Sequence, residues 1–175
     1  MPTPHRGSAL LAVLLLTLLI LALPGPVVAD GGGGGQGAST PAGNPEDPQY
    51  TAAVKAIKAN EYAKAIPLLE GVVSSDAKNA DAYNWLAYAT RKNGNPAASL
   101  PLYQKALAID PKHKGAHEYI GEAYLMLDNL LKAREHLTTL SSLCFITCSE
   151  YRDLKRAVEA YEKSGGKSKP TASSR

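Results

Sequence analysis

Residues 80–111 read ADAYNWLAYATRKNGNPAASLPLYQKALAIDP, and the fold class follows from their spacing. Ala82, Tyr83, Trp85, Leu86 and Ala89 keep helical apolar spacing, and Asn93-Gly94-Asn95-Pro96 interrupts it. Leu100, Tyr103 and Leu107 restart the pattern, and Asp110-Pro111 ends it. This predicts a helix, a turn and a second helix. The unit recurs at a fixed period. Asn60, Gly94 and Asp128 lie 34 residues apart, and the same step relates Ala53, Ala87 and Gly121, then Ala65, Ser99 and Ala133, all small. It also relates Leu69, Tyr103 and Leu137, all large, and the apolar Val72, Ala106 and Leu140. Helices approach closely only where one side chain is nearly absent, with a large residue filling the opposing hole. A single hairpin cannot bury its apolar face, whereas three stacked hairpins can.

Working outward from this unit, three copies cover about 46–79, 80–113 and 114–147. Beyond them Tyr151, Leu154, Val158 and Tyr161 keep helical spacing, with Arg152, Lys155, Arg156, Glu159 and Glu162 elsewhere. This predicts a polar capping helix over 149–163. Thr147 and Glu150 have capping-box spacing at its start, and Gly165 is its expected stop. Pro67 and Pro101 share one repeat position near the start of each second helix, where a missing N–H costs least.

Trp85-Leu86-Ala87, Ser99, Tyr103, Ala106 and Pro111 resemble the tetratricopeptide repeat pattern, and the period agrees with it. The resemblance covers about 46–143. It weakens at the ends, where Ala77 and Phe145 replace the closing proline and Gln49 replaces the opening aromatic at the place of Tyr83. It implies an all-α, right-handed helical-repeat solenoid of three hairpins plus a C-terminal capping helix. It also implies a concave face, lined by the first helices, that takes peptides or partner proteins. Carried over by position, that groove presents Tyr50, Val54, Ile57 and Lys58, then Asp81, Asn84, Tyr88, Arg91 and Lys92. The third repeat presents Glu118, Glu122, Leu125 and Met126. Asn84 suits a peptide backbone, and Tyr50 and Tyr88 offer flat contact area. The competing reading packs the aliphatic members between helices. Where some family members clamp a C-terminal carboxylate with Lys, Asn and Arg, this chain has Tyr50, Val54, Trp85, Gly115 and Tyr119. Binding of acidic chaperone tails is therefore not implied.

The chain has 175 residues, 45% hydrophobic, which excludes a wholly disordered protein. Residues 1–29 read as a secretory signal peptide. An apolar run from Ala9 to Leu23 follows His5 and Arg6, and Val27-Val28-Ala29 precedes a cleavage point at Ala29/Asp30. The alternative is a retained anchor, but the run falls short of the roughly 20 residues a spanning helix needs. Residues 30–45 hold seven glycines and no large apolar side chain, as a flexible linker does. Residues 164–175 form a basic tail with Lys167, Lys169 and Arg175. Between them 46–163 carries 15 Lys+Arg and 15 Asp+Glu. The repeat region is thus formally neutral, which argues against a nucleic-acid surface.

Cys144 and Cys148 flank Phe145-Ile146-Thr147 at the junction with the capping helix. Export favours their oxidation to a disulfide, with Phe145 and Ile146 as a hydrophobic plug. A soft-metal or copper(I) site and a redox-active pair are the alternatives. His113 and His117 lie among lysines and are expected at the surface. No nucleophile triad, phosphate loop or paired-carboxylate motif stands out, and no cofactor is expected. These readings converge on an exported, non-enzymatic scaffold or assembly factor of the bacterial periplasm that binds a protein or peptide. Nucleic acid is not expected as a partner, nor membrane insertion after signal cleavage. The alternative is an exported redox or copper-handling protein using Cys144 and Cys148, and self-association through the solenoid edge stays open.

Overall fold

A computed structural model describes residues 47–166; the expected signal peptide, the glycine-rich linker and the tail from 167 onward lie outside the described residues. Seven α-helices follow in order: α1 (Pro48–Lys58), α2 (Tyr62–Ser75), α3 (Ala80–Lys92), α4 (Pro96–Ile109), α5 (Lys114–Met126), α6 (Leu130–Leu143) and α7 (Ser149–Lys163). The described residues contain no strand. α1–α2, α3–α4 and α5–α6 are hairpins, stacked through α2–α3 and α4–α5, and α7 closes on α5 and α6. The first helices also meet, α1 with α3, α3 with α5 and α5 with α7. This is the expected all-α solenoid of three hairpins and a cap.

The columns found at the 34-residue step are the places where these helices meet. Ala53, Ala87, Ala65, Ser99 and Ala133 are fully buried, as are Leu69, Tyr103, Ala106 and Leu140, with Val72 nearly so. Gly121 takes the small-residue requirement to its limit. A Cβ there would lie 2.6 Å from Leu154 Cδ2 and 2.8 Å from Cδ1, and Leu154 is itself fully buried. The cap helix therefore docks where α5 has no side chain.

The turns repeat as closely as the helices. Asn60, Gly94 and Asp128 all have positive φ, at 59°, 93° and 56°. Each ends a first helix with the same pair of hydrogen bonds. Gly94 N–H donates to Arg91 O at 3.1 Å and Asn95 N–H to Thr90 O at 3.1 Å, and Asn60/Glu61 and Asp128/Asn129 repeat the pattern. Asn and Asp are the non-glycine residues that tolerate this conformation. Their side chains are engaged as well. Asn60 Oδ1 accepts from Tyr62 Oη at 2.6 Å, and Asp128 Oδ1 from Tyr161 Oη at 3.2 Å.

Four sequence expectations need correction. Pro67 and Pro101 are each the sixth residue of their helix, past the turn whose N–H groups are free. The carbonyls they strand belong to Ala63 and Ala97, both exposed residues, so the missing hydrogen bond falls on the solvent side of each helix. The capping box does not form: Cys148 is the N-cap of α7 without a side-chain bond, and Glu150 accepts instead from Ser149 Oγ at 3.1 Å. Phe145 and Ile146 are no plug, being 103% and 81% exposed. The histidines are not surface residues. His113 caps α5, its Nδ1 accepting from Ala116 N–H at 3.1 Å, the same job that Asn79 does one repeat earlier for Ala82. His117 is 8% exposed. The expected stop holds: Gly165, at φ 75°, follows the C-cap Ser164.

His117 Nε2 lies 3.0 Å from Pro111 O, and its Nδ1 lies 2.9 Å from Nδ1 of His136 on α6. A carbonyl only accepts, so the neutral His117 ring carries its proton on Nε2 and leaves Nδ1 to accept from His136. Burial lowers the pKa of both rings, His136 to about 4 with further lowering from His117. A folded-state pKa below the unfolded value means that the unfolded chain takes up the proton first, so stability is lost as pH falls. Thermal melts from pH 7 to pH 4 should show this loss, most of it below about pH 6.5. His136→Gln should flatten the decline, and an unchanged pH slope in that variant would remove the pair as its cause.

Gly121→Ala sets two effects against each other. Helix propensity favours alanine by about 1 kcal/mol, whereas crowding the buried Leu154 costs about 1–3 kcal/mol. The expected net result is destabilisation, read as a lower Tm. A raised Tm would show that Leu154 can move aside.

Candidate functional site

The side of the solenoid built from α1, α3, α5 and α7 gathers polar and aromatic groups around Arg91. This arginine lies near the end of α3 and is buried. Its Nε donates to Tyr103 Oη at 3.3 Å, its Nη2 is 2.8 Å from Glu122 Oε2, and its Nη1 faces Met126 Sδ at 3.8 Å. The guanidinium also lies 5.3 Å from the ring centre of Tyr88 and 5.6 Å from that of Tyr119. One side chain thus ties α3 to α4 and to α5. Tyr88 is the centre of an aromatic group, with Tyr119 at 4.9 Å, Trp85 at 5.5 Å and Tyr62 at 6.2 Å. Burial, and then the neighbouring Tyr62, hold its phenol at a pKa of about 12.

Apart from the exposed Lys58 and Lys92 and the half-buried Met126, the groove residues named from position divide into three sets. Tyr50 lies in the first core cluster with Val54 packed against it, and Ile57 and Leu125 are buried too, so these belong to the packing between helices. Asp81 is half-buried and accepts from His113 Nε2 at 3.1 Å, joining the first turn of α3 to the N-cap of α5. Asn84, Tyr88, Arg91, Glu118 and Glu122 form the polar floor. Asn84 and Glu118 are one period apart, each 4% exposed, and Asn84 Oδ1 and Glu118 Oε2 have no hydrogen-bond partner among the described residues. The Glu118 carboxyl is pushed up to about 9, first by burial and then by the charges of Glu122, Asp153 and Glu150, with Arg91 opposing.

The sequence reading missed the contribution of α7. Asp153 and Glu150 act on Glu118 although they precede Leu154, the residue that docks onto Gly121. That docking pair was the signal: a glycine in a small-residue column opposite a cap leucine places the acidic start of α7 beside α5. Tyr103, known only as a packing residue, also holds Arg91. Away from the groove, Cys144 and Cys148 have Cα atoms 5.7 Å apart and sulfurs at bonding distance. Among the described residues, no three His, Cys, Asp or Glu side chains are grouped to hold a metal ion.

Solved structures of similar fold include MamA from Desulfovibrio magneticus RS-1, SycD from Yersinia enterocolitica and the first repeat domain of Spaghetti (RPAP3). MamA is 28% identical, covering 54% of each chain at a TM-score of 0.53, so this chain spans about half the length of the MamA structure. SycD, a type III secretion chaperone solved with a peptide of the translocator YopD, is 16% identical over 67% of this chain and 92% of its own, at 0.59. The Spaghetti domain, bound to the HSP90 peptide SRMEEVD, is 18% identical over 65% and 90%, at 0.58. No curated protein matches the chain. Two family profiles, each described as tetratricopeptide repeat, match residues 50–114 and 90–143, together more than half of the sequence. The chain belongs to the tetratricopeptide repeat family.

Proposed function

We propose that this chain is a non-enzymatic scaffold or assembly factor that holds an extended segment of a partner protein against α3 and α5, in the bacterial periplasm. The observation that carries this reading is Asn84 Oδ1, a buried acceptor on the first-helix side with no donor among the described residues. A peptide backbone N–H supplies that donor, and Tyr88 and Tyr119 supply flat area beside it. Peptides bound to SycD and to the Spaghetti domain support the coarse reading of a protein-binding fold. The guest differs in kind from an acidic tail, because the clamp positions here hold Tyr50, Val54, Trp85, Gly115 and Tyr119. The periplasmic setting is inferred from residues 1–29, and Cys144 and Cys148 are inferred to be disulfide-bonded there.

Affinity capture from periplasm should recover a partner with the wild type and lose most of it with Asn84→Ala plus Tyr88→Phe. This pair keeps the Tyr88 ring among its aromatic neighbours, so the fold should survive. Equal recovery by both proteins would remove the groove reading while leaving the fold intact.

A five-residue disulfide loop restrains little chain, so replacing both cysteines by serine should cost only about 2 kcal/mol. Partner capture should be unchanged. Free thiols on protein isolated from the export compartment, or stoichiometric copper bound to it, would favour a redox or metal role for the pair instead.

A further inference from the structure

We propose that His117 on α5 and His136 on α6 form a two-nitrogen seat for a divalent transition-metal ion, copper(II) by preference, with water completing its coordination. The seat lies inside the third hairpin and is independent of the groove reading. Two side chains are what the protein supplies, since no three His, Cys, Asp or Glu residues are grouped to hold a metal among those described.

The two Nδ1 atoms, one from each helix, lie 2.9 Å apart. Metal–imidazole bonds are about 2.0–2.1 Å long, so two of them ending on these nitrogens enclose about 90°. That is the angle between neighbouring ligands of a square-planar or tetragonal ion, the geometry of copper(II) and nickel(II). A tetrahedral ion would need the nitrogens about 3.3 Å apart. Between the two tetragonal ions, copper(II) binds nitrogen donors more tightly.

The way the rings are held is the second observation. His117 Nε2 donates to Pro111 O at 3.0 Å, which fixes the ring with its Nδ1 lone pair toward α6. Metal-ligating histidines are oriented in the same manner, by a carbonyl on the other ring N–H. His136 stacks on Tyr124, with ring centres 5.8 Å apart and planes at 16°. His113 takes no part, because its Nδ1 accepts from Ala116 N–H and its Nε2 faces Asp81. The charges acting on the pair are mixed: Asp110 and Glu135 favour a cation, and Lys132 opposes it. Binding therefore rests on nitrogen donation. Burial keeps both rings neutral at pH 7, the form that ligates.

The ion takes the place of the proton between the rings. His136 gives its Nδ1 proton to water and takes one up on Nε2, so the ring stays neutral and no net proton is released. The ion sits off the line joining the nitrogens, and the half-buried His136 ring meets it by turning about Cβ–Cγ, a soft torsion. Once bound, it ties α5 to α6, the two helices on which α7 closes.

The test uses the full-length, tag-free chain and copper(II) chloride, with glycine as a competing ligand. Wild type should bind one ion, with the spin-resonance signal of a tetragonal copper(II) coupled to imidazole nitrogens. A hundredfold excess over Kd should raise its Tm by at least about 4 °C. His136→Gln, a change at a half-buried position, should fold normally and bind at least about tenfold more weakly. Cys144→Ser plus Cys148→Ser should bind as wild type does. Equal binding by wild type and His136→Gln, a signal without imidazole coupling, or copper lost from the double serine variant would each overturn the proposal.

Discussion

Close approach of helices at side chains that are nearly absent is the constraint from which the rest of the structure follows. Ala53 and Ala87 are fully buried in the first helices, and Gly121 admits Leu154 to a place where no Cβ fits. Each such contact brings one hairpin against the next, and only then is the apolar face of either removed from water. The left-handed turns at Asn60, Gly94 and Asp128 serve the same end, returning each second helix at one angle so that the next hairpin meets the same surface. The groove is a by-product of this stacking. First helices that touch in sequence, α1 to α3 to α5 to α7, leave their outward faces side by side.

Arg91 shows what the stacking allows. Burial of an unpaired guanidinium would be costly. Here Tyr103 and Glu122 meet it from two different helices, while Tyr88 and Tyr119 offer their rings. Such a buried pair adds little net stability over apolar packing, because desolvation offsets attraction. Its consequence is positional. It holds Glu122 toward the second repeat, and the same guanidinium acts on Glu118, one turn earlier on α5.

The repeat was legible in the sequence because packing forces the same residue class at the same step. Small, large and turn columns all recur, and every one of them lies at an interhelical contact or a left-handed turn. Asn79 and His113 also lie 34 residues apart, yet their shared role as N-caps was missed, since one is polar and the other was weighed as a charged group beside lysines. The histidine pair was illegible for another reason: His117 and His136 meet through tertiary structure, with no local spacing to announce it. The exposure of Phe145 and Ile146 was unreadable from composition alone, because apolar side chains between two cysteines suit a plug and a protrusion equally well. Pro67 and Pro101 misled by one turn, as helix starts are the least certain part of any periodic pattern.

The groove column itself behaves unlike the packing columns. Tyr50, Asn84 and Glu118 stand at one repeat position, all buried, yet they pass from aromatic to amide to acid along the solenoid. A packing requirement would have kept the class constant, as it does for Ala65, Ser99 and Ala133. Burial without a constant class means that something other than helix contact selects the residue there. In the first repeat Tyr50 completes the core. In the second and third repeats Asn84 Oδ1 and Glu118 Oε2 are buried without a hydrogen-bond partner among the described residues, so packing between helices does not account for the polar class at this column.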